Sequence, residues 1–234
     1  MQEFHKLVLL KSVRLEPNLS QILKEVFVGL HILPVDLLKD VENSLLSFPW
    51  NDDSKYAMLL AQTYFLVSHT TRLISLAASR LNISNSKYHN MLIKHIGEEL
   101  GHEDILIEDL LALGHKIEEY SPLPTTSLLL HTLYHSIERV SPLSIFGRII
   151  FLEYLCAKSG EKWFKKLMDV GRTSHIRFIK LHIEEDVKHI ENSLPILQEL
   201  SIRELSDVAD SFVLTGYLYK ELFSDCNTAL PKVT

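Results

Sequence analysis

Glu99 and His102 stand three residues apart in a helix-like stretch, and about eighty residues later His182, Asp186 and His189 form His-x-x-x-Asp-x-x-His. Between them Glu153 is isolated in the apolar run Ile149-Ile150-Phe151-Leu152-Glu153-Tyr154-Leu155. Carboxylates and imidazoles are hard and borderline donors. Three of each make a mixed oxygen and nitrogen set that suits iron or manganese better than a closed structural zinc site. Three carboxylates also balance most of the charge of two divalent ions, so the six read as the ligands of a two-metal centre.

Helical geometry tests that reading, because each residue turns about 100°. Measured from Glu99, Leu92, Leu106, Leu110 and Leu113 fall within about 40°, as do His95 and Glu103, while His102 lies about 60° away. Glu98, Lys94, Asp104 and Glu108 fall on the other side or its flanks. His182, Asp186 and His189 span only about 60°, and Glu184 and Lys188 point away. His175 shares their face one turn earlier and reads as an orienting or surface residue. An ionised side chain on an apolar face is costly unless it is paired or bound to a cation. For Glu153 the bland alternative is a buried salt bridge to Arg148 or Arg72. For Glu99 and His102 it is a hydrogen bond between the two.

The elements that must position these residues are helical throughout. Apolar residues recur with the helical period and strand-like alternation is nearly absent, which makes the chain all-α. Helices are expected at about 18–30, 34–46, 53–81, 86–113, 126–139, 143–157, 160–168, 172–198 and 201–223. Phe48-Pro49-Trp50-Asn51-Asp52-Asp53, Asn82 to Ser86, Gly114 and Ser121-Pro122-Leu123-Pro124 punctuate them. The 234 residues, 46% of them hydrophobic, suffice for one domain spanning 1–234. About 1–17 read as an extension and 225–234 as a frayed tail.

Composition excludes several classes. A net charge of −6 supplies no basic face for nucleic acid. No apolar run reaches the roughly 18 residues that a membrane span needs, and the first residues lack a secretory pattern. The two cysteines, Cys156 and Cys226, imply no disulfide framework and favour a cytoplasmic setting. His131, Tyr134, His135 and Glu138 share a helix face and read as a solvated or dimer-facing stripe. Tyr56, Tyr64 and His69 lie on one expected helix where they could line a substrate pocket, and the two tyrosines read as core packing.

At Glu99, His102, Glu153, His182, Asp186 and His189 the chain resembles the heme-oxygenase-like di-iron oxidases and oxygenases, the iron-containing redox enzymes. The likeness runs from about Phe48 to Leu197. Many members carry a glutamate at the position of His95; this chain is similar to the Glu-x-x-His variant, like the family's alkene-forming fatty-acid decarboxylase. The resemblance implies a seven-helix up-and-down bundle, frequently a homodimer. It implies two Fe(II) ions, with manganese accepted by the same ligands, and O2 as cosubstrate. An external electron donor and a small amine- or carboxylate-bearing substrate, an amino acid or fatty acid, complete the expectation. The reaction would be C–H cleavage, C–C scission, desaturation or N-oxygenation, with Glu99, Glu153 and Asp186 in the catalytic centre. Metal-free relatives set the alternatives: a thiaminase-II-like enzyme using Cys156, a quinone-cofactor-synthase-like enzyme, or a non-catalytic interaction module. A heme protein using His5 or His31 would leave the six residues unexplained.

Overall fold

The computed structural model describes residues 34–229. The expected helix at 18–30 and the N-terminal extension lie outside them. Nine helices follow in order: α1 Pro34–Ser47, α2 Asp53–Val67, α3 Thr70–Arg80, α4 Ser86–Glu99, α5 His102–Ala112, α6 Pro124–His135, α7 Ser144–Asp169, α8 Arg177–Ser193 and α9 Ile202–Thr228. A π-helical turn, Ser136–Val140, prolongs α6, and a short 3-10 segment follows α8. Joined across their breaks, α2 with α3 and α4 with α5 reduce the nine to seven rods. No strand occurs among the described residues.

Local chemistry explains the starts. The Asp52 carboxylate accepts from the backbone N–H groups of Ser54 and Lys55 and caps α2. Ser201 and Glu204 form a reciprocal capping box at the head of α9. The buried Asp109 carboxylate accepts from the backbone N–H of Phe178 at 3.1 Å and from Arg177 Nε at 3.0 Å, which sets the start of α8. That start lies five residues later than the expected 172. His175 stands before the helix with a left-handed φ of 59°, its carbonyl accepting from Tyr56 Oη at 2.7 Å.

α7 is the central rod, packed most extensively on α9 and α8. It is one helix where two are expected from sequence, 143–157 and 160–168. Gly160 does not break it, because Gly160 is where α8 approaches; a Cβ there would meet Ile183 Cγ2 at 3.1 Å. Gly147 admits α9 still closer, since a Cβ would lie 2.2 Å from the Val208 carbonyl oxygen. α9 runs to Thr228, past the expected end at 223, and buries Cys226 completely.

Two other expected helices are broken, both beside the cavity of the next section. α2 and α3 part at Ser68-His69. α4 and α5 part at Leu100-Gly101, where Gly101 adopts φ 88°, a conformation that other residues reach only with strain. Glu99 and His102 therefore belong to two helices rather than one.

Candidate metal centre

Three rods converge on the ligand-type residues: the α4–α5 pair, α7 and α8. They form two groups of three. His95, Glu153 and His189 make one; Glu99, His102 and His182 make the other. Within each group the ligand atoms lie within 4.8 Å of one another. Each group holds one carboxylate and two imidazoles. Five of the six residues singled out in the sequence thus sit in the two groups, and His95 takes the remaining place. Asp186 is buried beside them, its Oδ1 3.4 Å from His189 Nδ1, but belongs to neither. Glu103 falls in the first turn of α5, outside both groups.

Hydrogen bonding turns the rings inward. His182 Nδ1 lies 3.0 Å from the Phe178 carbonyl, which only an N–H can satisfy, so the Nε2 lone pair is free for a ligand. The Phe178 ring lies against the same imidazole, with centroids 4.1 Å apart. His95 Nδ1 lies 3.4 Å from Glu98 Oε2, leaving Nε2 toward Glu99 and Glu153 at 3.7 and 3.8 Å. Glu98 does not point away as the helical projection has it. It lies 3.8 Å from His189 Nε2 and is tied to Lys94 at 3.0 Å.

Glu153 is the most costly residue of the centre. It is 4% exposed and neither carboxylate oxygen has a satisfactory hydrogen-bond partner. Neither arginine considered from sequence pairs with it: Arg148 bonds Thr70, and Arg72 bonds the Ser68 carbonyl. Burial, reinforced by Asp186, pushes its carboxyl well above the ordinary range. Burial would raise Glu99 too, but the rings of His102, His182 and His95 hold it down to about 2. Glu99 raises His102, as Asp186 raises His189, while burial lowers His95. His102 Nδ1 and His189 Nδ1 are also buried without a hydrogen-bond partner. Orphaned carboxylate oxygens and imidazole nitrogens facing one another are the donor set that iron or manganese takes, so the residues fit such an ion.

Two cavities flank the centre. One, of about 130 Å³, is mostly apolar, with walls that include Leu59, Leu60, Val67, Ile149 and Leu152 and a floor of His95, Glu99, Glu153, His182 and Asp186. The other, of about 240 Å³, reaches His95 and His189 past Lys94, Glu98 and Asn192. Tyr56 lines the first, as does Cys156, whose thiol burial and the neighbouring Asp186 push well up. His69 Nδ1 pairs with Tyr134 Oη at 2.9 Å, while His131, His135 and Glu138 are exposed.

The all-α bundle has a heme-oxygenase-like fold. Residues 57–214 match the family of iron-containing redox enzymes, and the chain belongs to that family. Solved structures share the fold. A domain of unknown function with a heme oxygenase-like fold from Shewanella denitrificans OS217 is 19% identical, with a TM-score of 0.70 over 92% of this chain and 90% of that one. A TenA homologue from P. horikoshii OT3 is 11% identical, at 0.69 over 88% and 97%. A cadd-like protein of unknown function from Nostoc punctiforme is 16% identical, at 0.63 over 90% and 99%. No curated protein matches. No helix among the described residues is long and apolar enough to cross a membrane.

Proposed function

We propose that the chain is a non-heme di-iron oxidase or oxygenase that uses O2 on a small amine- or carboxylate-bearing substrate. The observation that carries this reading is the pair of facing groups, each of two imidazoles and one carboxylate, around Glu153, whose two oxygens have no hydrogen-bond partner. His95, Glu153 and His189 would hold one metal ion, and Glu99, His102 and His182 the other, with Asp186 beside His189. When bound, two ferrous ions supply electrons to O2, and manganese is the alternative metal.

The chain's own residues do the rest. Phe178 fixes the His182 tautomer through its carbonyl, and Glu98 does the same for His95. Burial raises the Glu153 carboxyl, so its oxygens ligate only once the proton it favours has left. The apolar cavity excludes water from the reacting face. Cys156 stays a thiol there, which disfavours the thiaminase-like use of it as a nucleophile. The reading carries with it an external electron donor, a homodimer and a cytoplasmic setting, all on the strength of the resemblance.

Anaerobic titration with ferrous iron, followed by rapid mixing with O2 under absorbance detection, tests the proposal. Uptake near two irons per chain with O2 consumption is expected. No iron uptake would return the six residues to a buried polar network, as in a metal-free enzyme or an interaction module.

A further inference from the structure

Arg148, on α7, is 3% exposed and lines the apolar cavity. A guanidinium is always charged and presents five donors in a planar fork. Here Nη2 donates to Thr70 Oγ1 at 3.1 Å, Nε has no partner, and no carboxylate among the described residues lies within ion-pair distance. The acids that line the same cavity are Glu99, Glu153 and Asp186, and none of them pairs with the guanidinium. A buried cation left unpaired is strongly unfavourable unless something else brings the countercharge.

We infer that Arg148 is the receptor for a carboxylate on the substrate, which enters the cavity as a monoanion with an apolar body. Thr70 and Tyr219 complete the seat: both line the cavity, and Thr70 is brought opposite Arg148 by the break between α2 and α3. Burial raises the Tyr219 phenol, which keeps its hydroxyl a donor. One guanidinium matches the single charge of a carboxylate, and a phosphate dianion would leave a charge uncompensated in a cavity that Glu99 and Asp186 also line. The substrate's anion is thus held by protein rather than by metal, and its apolar part lies between Leu59, Val67 and Leu152.

Treating this anion as the substrate's rests on the oxidase reading, whereas its binding does not, so the test uses the metal-free protein. In chelator, octanoate is titrated against the fluorescence of Trp163, which lines the cavity, alongside methyl octanoate and octylamine. Saturable binding of octanoate is expected, at least about tenfold tighter than that of the ester or amine. Arg148→Gln should weaken octanoate by about tenfold or more, and Arg148→Lys, which keeps charge but loses the fork, by less. Equal binding of acid and ester, unchanged binding to R148Q, or octanoate binding only after iron loading would each overturn the inference. If R148Q does not fold, R148K and the acid-against-ester comparison decide it. Failed iron uptake in the separate titration removes the metal reading and leaves this one standing.

Discussion

Replacing Glu153 by Gln should stabilise the metal-free protein at neutral pH. Glu153 is buried among carboxylates and has its acidity suppressed, so between the unfolded value of 4.5 and its folded value the native state binds a proton that the unfolded state does not. Stability therefore falls as pH rises across that window. At pH 7 the interval from 4.5 is roughly 2.5 pH units at about 1.4 kcal/mol each, so the penalty is at most about 3.5 kcal/mol. Gln has nearly the same volume and does not titrate. Urea unfolding in chelator should show E153Q and the native protein equal near pH 4.5, with the variant gaining steadily above it. Ferrous iron at about a hundredfold over Kd adds about 2.7 kcal/mol per filled site, mainly to the native protein, and closes the gap. A variant less stable than the native protein by the same amount at every pH would refute the reasoning. It would mean that the Glu153 carboxyl titrates alike in the folded and unfolded states.

His95→Ala should reduce ferrous uptake from near two ions per chain to near one without changing the helical circular dichroism; retention of two would remove His95 from the centre. The double change of His182 and Asp186 to Ala should remove the ion held by Glu99, His102 and His182 and weaken the one beside His189, again with helix content kept. His102 and His189 are raised by their carboxylates, so in the metal-free protein they contribute stability present below 6.5 and lost as pH rises through their folded values. Iron binding has the opposite sign because it needs neutral rings, so its affinity, read by chelator competition, should rise over about pH 6 to 8. Gly147→Ala drives a methyl into the Val208 carbonyl and should cost about 3 kcal/mol in urea unfolding.

Glu153, His182 and His189 are legible in the sequence because each is an ionisable group on an otherwise apolar helical face. Glu98 is not, because the projection treats 86–113 as one helix. The backbone leaves helical geometry at Leu100-Gly101, and the Glu98 carboxylate curls between His95 and His189 instead of facing solvent. A signal is present: a glycine following Glu98-Glu99-Leu100 and an acidic pair, Glu103-Asp104, opening the next helix. His95 shares the face of Glu99 in projection, yet the spacing of His182, Asp186 and His189 puts Asp186 in the sixth place instead. The break at Ser68-His69 carries no proline or glycine, and nothing local announces it. Arg148 reads from sequence as a partner for Glu153, since sequence shows its helix but not the Thr70 hydroxyl across the bundle.

The tight seat of Gly147 on α9 has a consequence for selectivity. Arg148 and Glu153 stand on α7 at a fixed separation of five residues, about 7.5 Å along the axis, and the Gly147 contact fixes where the pair stands against α9. α7 then works as a ruler. An acid moored at Arg148 presents to the metal-ligand residues whichever carbon its own length brings there, and lengthening or shortening the acid moves the site of attack along its chain.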